Sequence, residues 1–251
     1  MLSVVLATLN ERANLPALFD RLGSLALPST EFLIVDDGST DGTREYVAES
    51  AARDARFRLL VHEGKQTTLR AQCQGIAAAR GEFIVVMDAD LQHPPESLPA
   101  MVRVLEDGAA LVVASRYAPG GSPGTRTPYR IALSRGAEWI AKAWLPSTRH
   151  VSDPVSGYFG FRREIWHPLD PESRGYKLLL FVLAMAEGRR LGEVGFRFEA
   201  RTRGDSKVTE SVAFVRLFLA EIYLARRFAR GMRRSATRTG ITPPPAPHRR
   251  S

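Results

Sequence analysis

Two pairs of carboxylates that follow apolar segments are the first residues in the sequence that could do chemistry. Asp36 and Asp37 follow the apolar run at 32–35, and Asp88 and Asp90 come at the end of the run at 83–87. In an open α/β sheet, ligands bind beyond the carboxyl ends of the strands. An Asp-x-Asp pair there can bind a divalent cation that also binds substrate phosphates. One such pair often occurs by chance, but two clusters at equivalent places favour a site.

Basic residues next to turn-forming segments are the second candidate group. The arginine guanidinium suits phosphate oxygens, so two or three convergent arginines would form a phosphate site. Because the chain has 35 Lys and Arg residues, the default interpretation of any single one is a surface residue. The candidates follow a predicted strand, begin the next predicted helix, or flank a Gly-Asp-Ser turn, and they are Arg116, Arg130, Arg135, Arg201 and Lys207.

The segment D-P-V-S-G-Y at 153–158 is the third candidate. Its carboxylate, Asp153, could act as a base or a positioning group, and it could equally be a helix cap or a turn residue. His93 follows the Asp-x-Asp pair, but the amide oxygen of Gln92 is the better ligand for a hard cation. Cys73 is expected to be a small buried residue.

The first half of the chain alternates between strand-like and helix-like segments. Apolar runs predict strands at 2–7, 32–35, 57–61, 83–87 and 110–114, and helical spacing predicts helices at 13–23, 41–53, 69–80 and 95–106, with Asp41 as a candidate N-cap. This alternation predicts parallel β-α-β units in one open sheet, the α/β class. Further along we predict a Gly/Pro-rich loop at 120–128, helices at 130–144 and 175–188, and a strand at 194–199.

Composition and charge narrow the class of protein. The chain has 251 residues, 44% of them hydrophobic and 25% charged, which excludes wholesale disorder and disulfide scaffolds. A single cysteine cannot form an internal disulfide, which fits a reducing compartment. The net charge is +8, and residues 226–251 contain eight arginines and no acidic residue, so the rest of the chain is neutral. This distribution argues against a nucleic-acid-binding body and favours an anionic partner near the tail, such as a membrane surface.

The segment 211–230 has one long helical pattern in which Arg216, Arg226, Arg227 and Arg230 share an arc of about 100°. It is either a helix docked on its own domain or a basic amphipathic helix on an anionic bilayer.

The longest apolar run, 178–186, is nine residues, whereas a span needs about 20. The N-terminus does not have the pattern of a signal peptide. We therefore expect a cytoplasmic protein, peripheral on the cytoplasmic face of a membrane.

The order of motifs resembles the polyprenyl-phosphate (dolichyl-phosphate) mannosyltransferases of glycosyltransferase family 2. The resemblance runs from residue 2 to about 208 and implies the GT-A fold, a mostly parallel open sheet flanked by helices. It rests on VDDGSTDGT (35–43), MDADLQHPPE (87–96), ASRYAPGG (114–121), SRG (134–136), SDPVSGYFGFRRE (152–164), GYKLLL (175–180) and RTRGDSKV (201–208). We therefore divide the chain into a catalytic domain at 1–208, an amphipathic helix at 209–230, which lies either on a membrane surface or on its own domain, and a basic disordered tail at 231–251.

The resemblance also assigns roles to residues. It implies that Asp88, Asp90 and Gln92 hold Mg²⁺ or Mn²⁺, and that Asp90, Arg116, Arg130 and Asp153 are catalytic. The acceptor phosphate would be bound by Arg116, Arg130, Ser134 and Arg201. The nucleotide sugar would be bound by Ala7, Leu9, Glu11, Val35, Asp37, Asp88, Ala89, Lys177, Arg201 and Lys207.

The activity implied is metal-dependent, inverting transfer of a hexose, mannose from GDP-mannose, to a polyprenyl or dolichyl phosphate. Metal and basic side chains would stabilise the leaving nucleoside diphosphate. An acceptor phosphate is already ionised near neutral pH, so no strong general base is needed. We accordingly expect Asp153 to orient an arginine or the sugar rather than to take a proton.

Departures from the family pattern motivate the alternatives. The chain has ATLNE at 7–11 in place of PTYNE, lacks two glycines of the usual GKxGLG segment at 64–69, and has Phe181 where a glutamate is common. One alternative is UDP-glucose or another donor, with a lipid phosphate or a non-lipid acceptor. Another is a catalytically inactive module that binds nucleotide sugars. A receiver-type signalling domain fits poorly, because about a hundred residues follow the fifth predicted strand.

Overall fold

A seven-stranded sheet with helices on both faces organises the chain. The computed structural model describes residues 1–61, 67–125, 127–169, 176–199 and 212–239. The strands are β1 (Leu2–Thr8), β2 (Thr30–Asp36), β3 (Phe57–Val61), β4 (Phe83–Asp88), β5 (Leu111–Ser115), β6 (Phe159–Arg162) and β7 (Leu191–Gly195). The helices are α1 (Leu15–Ser24), α2 (Thr43–Arg53), α3 (Thr68–Ala78), α4 (Leu98–Glu106), α5 (Pro128–Trp144), α6 (Leu178–Met185) and α7 (Val212–Thr239). Short 3₁₀ turns lie at Pro95–Ser97, Pro146–His150 and Arg163–Ile165.

The strand order is β3-β2-β1-β4-β6-β5-β7, and every pairing is parallel except those of β6, which runs antiparallel to β4 and β5. The carboxyl ends of the six parallel strands therefore meet at one edge of the sheet. The predicted α/β class with a mostly parallel open sheet is confirmed. All five strands predicted in the first half are present, within one or two residues of the expected bounds.

Strand β6 is an element that the sequence analysis missed. Its residues lie inside the motif at 152–164, for which no strand was predicted, and the strand is only four residues long. Gly160 lets it lie close to β4, since a Cβ there would stand 2.8 Å from Cγ2 of Val85. The aromatic side chains of Phe159 and Phe161 are buried against the sheet. Strand propensity was visible in these residues, but nothing local indicated where the strand pairs.

Several predicted boundaries need correction. The N-cap of α2 is Gly42, in the left-handed region at φ 87°, and not Asp41, whose side chain accepts hydrogen bonds from the backbone N–H groups of Thr43 and Arg12. The strand predicted at 194–199 is β7, which ends at Gly195, and the helix predicted at 175–188 is the shorter α6. Helix α7 continues to Thr239, past its predicted end at residue 230. Residues 240–251 lie outside the described part of the chain.

Helix α7 docks on its own domain. Phe218, Ile222, Ala225 and Ala229 form one buried stripe that packs with residues of α5 and α6 in a shared apolar cluster. Such spacing is what a docked amphipathic helix requires. No helix in the described ranges is long and apolar enough to cross a membrane.

Gly75 lets α3 lie close to strands β1 and β2 of the sheet. A Cβ at this position would stand 2.4 Å from Cγ1 of Val5 and 2.9 Å from Cγ2 of Val35. These distances are shorter than any ordinary carbon–carbon contact. A side chain here would therefore push α3 away from β1 and β2.

We predict that Gly75→Ala lowers the free energy of unfolding by about 1–3 kcal/mol, because the new methyl group overpacks the core. The matched control is Gly231→Ala in α7, where a Cβ meets no atom within 4 Å. That change should leave stability unchanged or raise it by up to about 1 kcal/mol, as alanine is the better helix former. Urea denaturation of both variants measures the difference. Equal effects would contradict the close approach of α3.

Candidate active site

A large cavity opens at the carboxyl edge of the sheet, with a volume of about 970 Å³. Residues from the ends of β1, β2, β4 and β5 form its floor, and α5 and α7 form a wall. The predicted site residues that line it are Ala7, Leu9, Glu11, Asp37, Asp88, Ala89, Asp90, Gln92, Arg116, Arg130, Ser134 and Lys177. The cavity therefore brings together residues that lie up to 170 positions apart in the sequence.

The Asp-x-Asp pair sits in a tight turn directly after β4. Leu91 has a positive φ of 65°, an uncommon conformation for a residue with a branched side chain, and the backbone N–H of Gln92 donates to Oδ1 of Asp90 at 3.1 Å. Asp90 is buried, and the Asp88 side chain is about half exposed. The turn thus fixes one carboxylate and leaves the other facing the cavity. Backbone strain of this kind is often found at functional sites.

His93 supports this turn and does not extend the candidate ligand set. Its Nδ1 accepts a hydrogen bond from the backbone N–H of Asp88 at 3.0 Å, so that nitrogen is already used. The ring stacks on Tyr158, with the centroids 5.2 Å apart. Gly157 also packs against this turn, and a Cβ at that position would come within 3.2 Å of both His93 and Asp88.

The donor set at the turn fits a hard divalent cation at an open site. In the described ranges no three His, Cys, Asp or Glu residues cluster as a metal site. The candidate ligands are the carboxylates of Asp88 and Asp90 and the amide oxygen of Gln92, whose amide nitrogen donates to the carbonyl of Glu199. Mg²⁺ and Mn²⁺ accept oxygen ligands and are commonly completed by substrate phosphates and water.

Arg116 and Asp153 form a buried, bidentate ion pair. Nε and Nη2 of Arg116 donate to the two carboxylate oxygens of Asp153 at 2.7 and 2.8 Å. Asp153 is wholly buried and is not among the described residues that line the cavity, whereas Arg116 is. Burial would lower the pKa of Arg116, but the bonds to Asp153 outweigh it and raise that pKa. Asp153 therefore stands behind Arg116 and fixes its guanidinium at the cavity wall.

The N-terminus of α5 brings two more predicted residues to the cavity. The hydroxyl of Thr127 caps the helix by accepting from the backbone N–H of Arg130 at 3.3 Å. Arg130 and Ser134, one helical turn apart, both line the cavity. Arg135 does not line it, and pairs instead with Glu138 while lying over the ring of Tyr117. Arg201 and Lys207 lie outside the described residues.

The comparisons with known proteins bear on this site. Residues 3–168 match the model of a family described as glycosyl transferase family 2. The chain belongs to this family. It is 35% identical to the dolichol-phosphate mannosyltransferase of Pyrococcus furiosus, over 88% of this chain and 62% of that protein. It is 36% identical to the dolichol-phosphate mannosyltransferase of Saccharomyces cerevisiae, over 88% of this chain and 86% of that protein.

A solved structure confirms the fold of this glycosyltransferase. Glucosyl-3-phosphoglycerate synthase from Mycobacterium tuberculosis, in complex with Mn²⁺, UDP-glucose and phosphoglyceric acid, superposes with a TM-score of 0.70. The two chains are 22% identical, and the match covers 90% of this chain and 79% of the other. The predicted GT-A fold is thus confirmed.

Lys177 reaches the cavity of the glycosyltransferase from the residue preceding α6. Its ammonium group donates to the carbonyl of Val155 at 2.8 Å. Burial, and next the charge of Arg116, lowers the pKa of Lys177, while Asp88, Glu221 and Asp153 act in the opposite direction. Two cations at one wall of the cavity are suited to an anionic ligand.

Asp36 and Asp37 differ in role, although they are adjacent. Asp37 lines the cavity, whereas Asp36 is buried, pairs with Arg44 and accepts from the backbone N–H of Ser39 at 3.1 Å. Burial disfavours the charge on Asp36, but the hydrogen bonds from Ser39 and Arg44 outweigh it, so the pKa of Asp36 is lowered. Asp36 therefore holds the loop after β2, and Asp37 is the residue placed to meet a ligand.

Val35 is placed differently from the sequence expectation. Its side chain is fully buried in the core that α3 covers, and it is not among the described residues that line the cavity. The geometry does not support a side-chain contact with the nucleotide. Val35 lies within β2, one residue before the strand ends, and its side chain packs in the apolar cluster between the sheet and α3.

Cavity residues that the sequence analysis did not single out come from later elements or from helix faces. Gln72 of α3 is buried, and its Oε1 has no hydrogen-bond partner among the described residues. Phe196 and Phe198 follow β7 and pack their rings against His93. The signal available in the sequence was a polar residue, Gln72, next to the apolar residues Leu69 and Ile76 of the same helix.

We predict that Asp153→Asn destabilises the protein by about 3–5 kcal/mol, because the buried charge of Arg116 loses its partner. The control is Glu82→Gln, which breaks the more exposed pair with Arg162 and should cost at most about 1 kcal/mol. Chemical denaturation compares the two variants. If Asp153→Asn abolished transfer but left stability, donor binding and the position of Arg116 intact, Asp153 would have a direct chemical role instead.

Proposed function

We propose that this glycosyltransferase transfers mannose from GDP-mannose to a polyprenyl or dolichyl phosphate, with inversion at the anomeric carbon. The observation that carries the proposal is one cavity that joins the Asp88–Asp90 turn to the cationic residues of β5 and α5. Both curated relatives described above are named dolichol-phosphate mannosyltransferases. Their names supply the sugar and the acceptor class, and the cavity supplies places for both substrates.

The donor would lie across the ends of β1, β2 and β4. Asp88, Asp90 and Gln92 would hold Mg²⁺ or Mn²⁺, and a bound cation would neutralise the charge that develops on the leaving nucleoside diphosphate. Ala7, Leu9, Glu11, Asp37 and Ala89 would bind the nucleotide. The structure of a relative in fold with bound Mn²⁺ and UDP-glucose is compatible with this placement.

The acceptor phosphate would lie toward Arg116, Arg130 and Ser134. Its oxygen is ionised near neutral pH and can attack without a strong base. The task of the chain is then to hold two anions close together, which arginine side chains with fixed geometry do well. Asp153 serves that task by orienting Arg116, so it is a positioning residue in this mechanism.

The lipid would reach the cavity along α5 and α7, since both helices line it and both expose apolar side chains. The exposed apolar residues are Tyr129, Trp139 and Trp144 on α5, and Val215, Leu217, Leu219, Tyr223 and Leu224 on α7. Arg216, Arg227 and Arg230 are exposed on the same helix α7. We call these residues the α5–α7 surface. Aromatic and basic side chains together favour the interface of an anionic bilayer, here the cytoplasmic face.

UDP-glucose is the rival donor. Leu9 lines the cavity at the position where relatives with PTYNE have an aromatic residue, so the base would lack one stacking partner. The same departure at Leu9 is also the reason to keep a second alternative, a binding protein that retains the nucleotide-sugar site but has no catalytic activity. Turnover with one donor and not the other separates these cases.

We predict that the protein transfers labelled mannose from GDP-mannose to a short polyprenyl phosphate in the presence of Mn²⁺ or Mg²⁺, and that EDTA abolishes the transfer. Asp90→Asn should reduce kcat/KM at least about 100-fold, because a ligand of the cation is lost. The control is Asp20→Asn, which changes an exposed carboxylate on α1 and should retain full activity. Label from UDP-glucose alone would overturn the donor, and binding without transfer would favour the inactive module.

We predict that replacing Trp139 and Trp144 with serine weakens binding to vesicles containing phosphatidylserine at least about tenfold, because two exposed aromatic rings are lost from the interface. Activity toward a short, water-soluble acceptor should not change. Val61→Ser, which removes an exposed apolar residue from the edge strand β3, is the control and should bind vesicles normally. Vesicle co-sedimentation measures both. Unchanged binding of the double variant would exclude the α5–α7 surface as the docking site.

A further inference from the structure

Helix α7 carries one carboxylate into the interior of the protein. Glu221 is fully buried, on the stripe that otherwise consists of Phe218, Ile222 and Ala225. Its Oε1 accepts hydrogen bonds from the backbone N–H groups of Tyr176 at 2.5 Å and of Lys177 at 2.9 Å. Both donors lie immediately before α6. The carboxylate of one helix therefore serves the start of another.

If packing were its only role, a glutamate buried at position 221 would be less favourable than an apolar residue. An apolar side chain would fill the stripe without the loss of hydration that a buried carboxylate suffers. That burial raises the pKa of Glu221, and the hydrogen bonds from Lys177 and Tyr176 only partly oppose the rise. Its second oxygen, Oε2, has no hydrogen-bond partner among the described residues. Burying the Glu221 carboxylate therefore costs free energy that better packing does not offset.

Helix α6 lacks a cap from its own sequence. The residues of α6 are all apolar, and its N-cap residue, Lys177, makes no side-chain capping hydrogen bond. The first N–H groups of a helix need acceptors, and a carboxylate there is favoured by the helix dipole. Glu221 of α7 supplies an acceptor at Lys177, the N-cap residue, and at Tyr176 before it. The cap consequently fixes the backbone of Tyr176 and Lys177 relative to α7.

The same two residues belong to the cavity. Tyr176 and Lys177 line it, and so do Val215 and Phe218, which lie about two turns and one turn, respectively, before Glu221 on α7. The Lys177 ammonium is held by the carbonyl of Val155, on the side of the cavity where Arg116 is also placed. A shift of α7 would therefore move a cavity wall and the backbone from which Lys177 extends.

We propose that Glu221 is a positioning residue that holds the Tyr176–Lys177 backbone so that Lys177 faces the anionic substrate, and that it thereby couples the seating of α7 to substrate binding. The identity of the anion rests on the function proposed above, whereas the coupling itself does not. Since α7 also carries part of the α5–α7 surface, contact of that surface with a bilayer acts on the helix whose Glu221 holds the backbone of Lys177.

The kinetic test compares Glu221→Ala, Glu221→Gln and Lys177→Met. Loss of both acceptor bonds in Glu221→Ala should raise the KM for the donor or the acceptor about tenfold, with a smaller change in kcat. Glu221→Gln keeps an amide oxygen that can accept both N–H groups, so it should restore KM to within about threefold of the wild type. Failure of the glutamine variant to rescue would overturn a role through the backbone hydrogen bonds.

A double variant tests whether Glu221 acts through Lys177. If it does, Glu221→Ala should have little further effect in the Lys177→Met background, because the two residues form one unit. If the two substitutions instead changed KM independently, so that their fold-changes multiplied in the double variant, the proposal would be overturned and general damage to the fold indicated. The matched control is Glu187→Ala, which removes a surface pair between the end of α6 and Arg233 of α7 and should leave the kinetics unchanged. An equal effect of this control would also overturn it.

Amide hydrogen exchange provides a readout that does not depend on activity. In the wild type, the N–H groups of Tyr176 and Lys177 should be protected by the buried carboxylate, and Glu221→Ala should accelerate their exchange at least about tenfold. Glu187→Ala should not alter it. Normal protection in Glu221→Ala would overturn the capping role. If even the wild type transfers no sugar, the proposed function fails, while the exchange result still decides the role of Glu221.

Discussion

The antiparallel strand β6 holds β4 and β5 apart, and the arrangement of the active site depends on that spacing. Neighbouring strands lie about 4.8 Å apart, so β4 and β5 are separated by about 10 Å. One strand delivers Asp88 to the edge of the sheet, and the other delivers Arg116. Because β6 runs in the opposite direction, the segment that precedes it enters the sheet at this same edge. Asp153 and Gly157 thereby lie between the two strand ends.

This geometry divides the buried charges into two kinds. Asp153 and Asp36 each neutralise an arginine and hold a loop, and both are completely buried. Asp88 is left partly exposed at the cavity, where a substrate-bound cation can reach it. A buried carboxylate with a full set of partners is rigid but chemically occupied. One group of acids thus holds the loops around the cavity, and Asp88 is left facing it.

Local sequence pattern was sufficient for the parallel strands and for the cavity residues at their ends. Apolar runs predict β1 to β5, and residues directly after such runs, including Asp37 and Asp88, come together because parallel strands end at one edge. The pattern failed for β6, since four residues with glycine do not specify a partner. Val35 was assigned to the nucleotide by the family resemblance and not by this pattern, and its side chain is buried under α3.

Contacts between distant segments were beyond a local pattern. Glu221 lies 44 positions from the N–H group of Lys177 that it accepts from, and an amphipathic helix gives no sign of which backbone its one buried acid will meet. The N-cap at Gly42 depends on a positive φ, which neither its neighbour Asp41 nor the helical spacing reveals. Features of this type are decided by tertiary packing, and sequence spacing only limits the choices.

Because α7 lines the cavity, the residues that form the cavity extend beyond the part of the chain that the family model matches. The family match stops at residue 168, yet Lys177, Phe196 and Phe218 all line the cavity. A chain that ended at the family boundary would lack α6, β7 and α7, and with them Lys177 and one wall of the cavity. Because the cavity includes residues up to Phe218, we expect a fusion or chimaera that exchanges the catalytic core of this chain to need α7 as well.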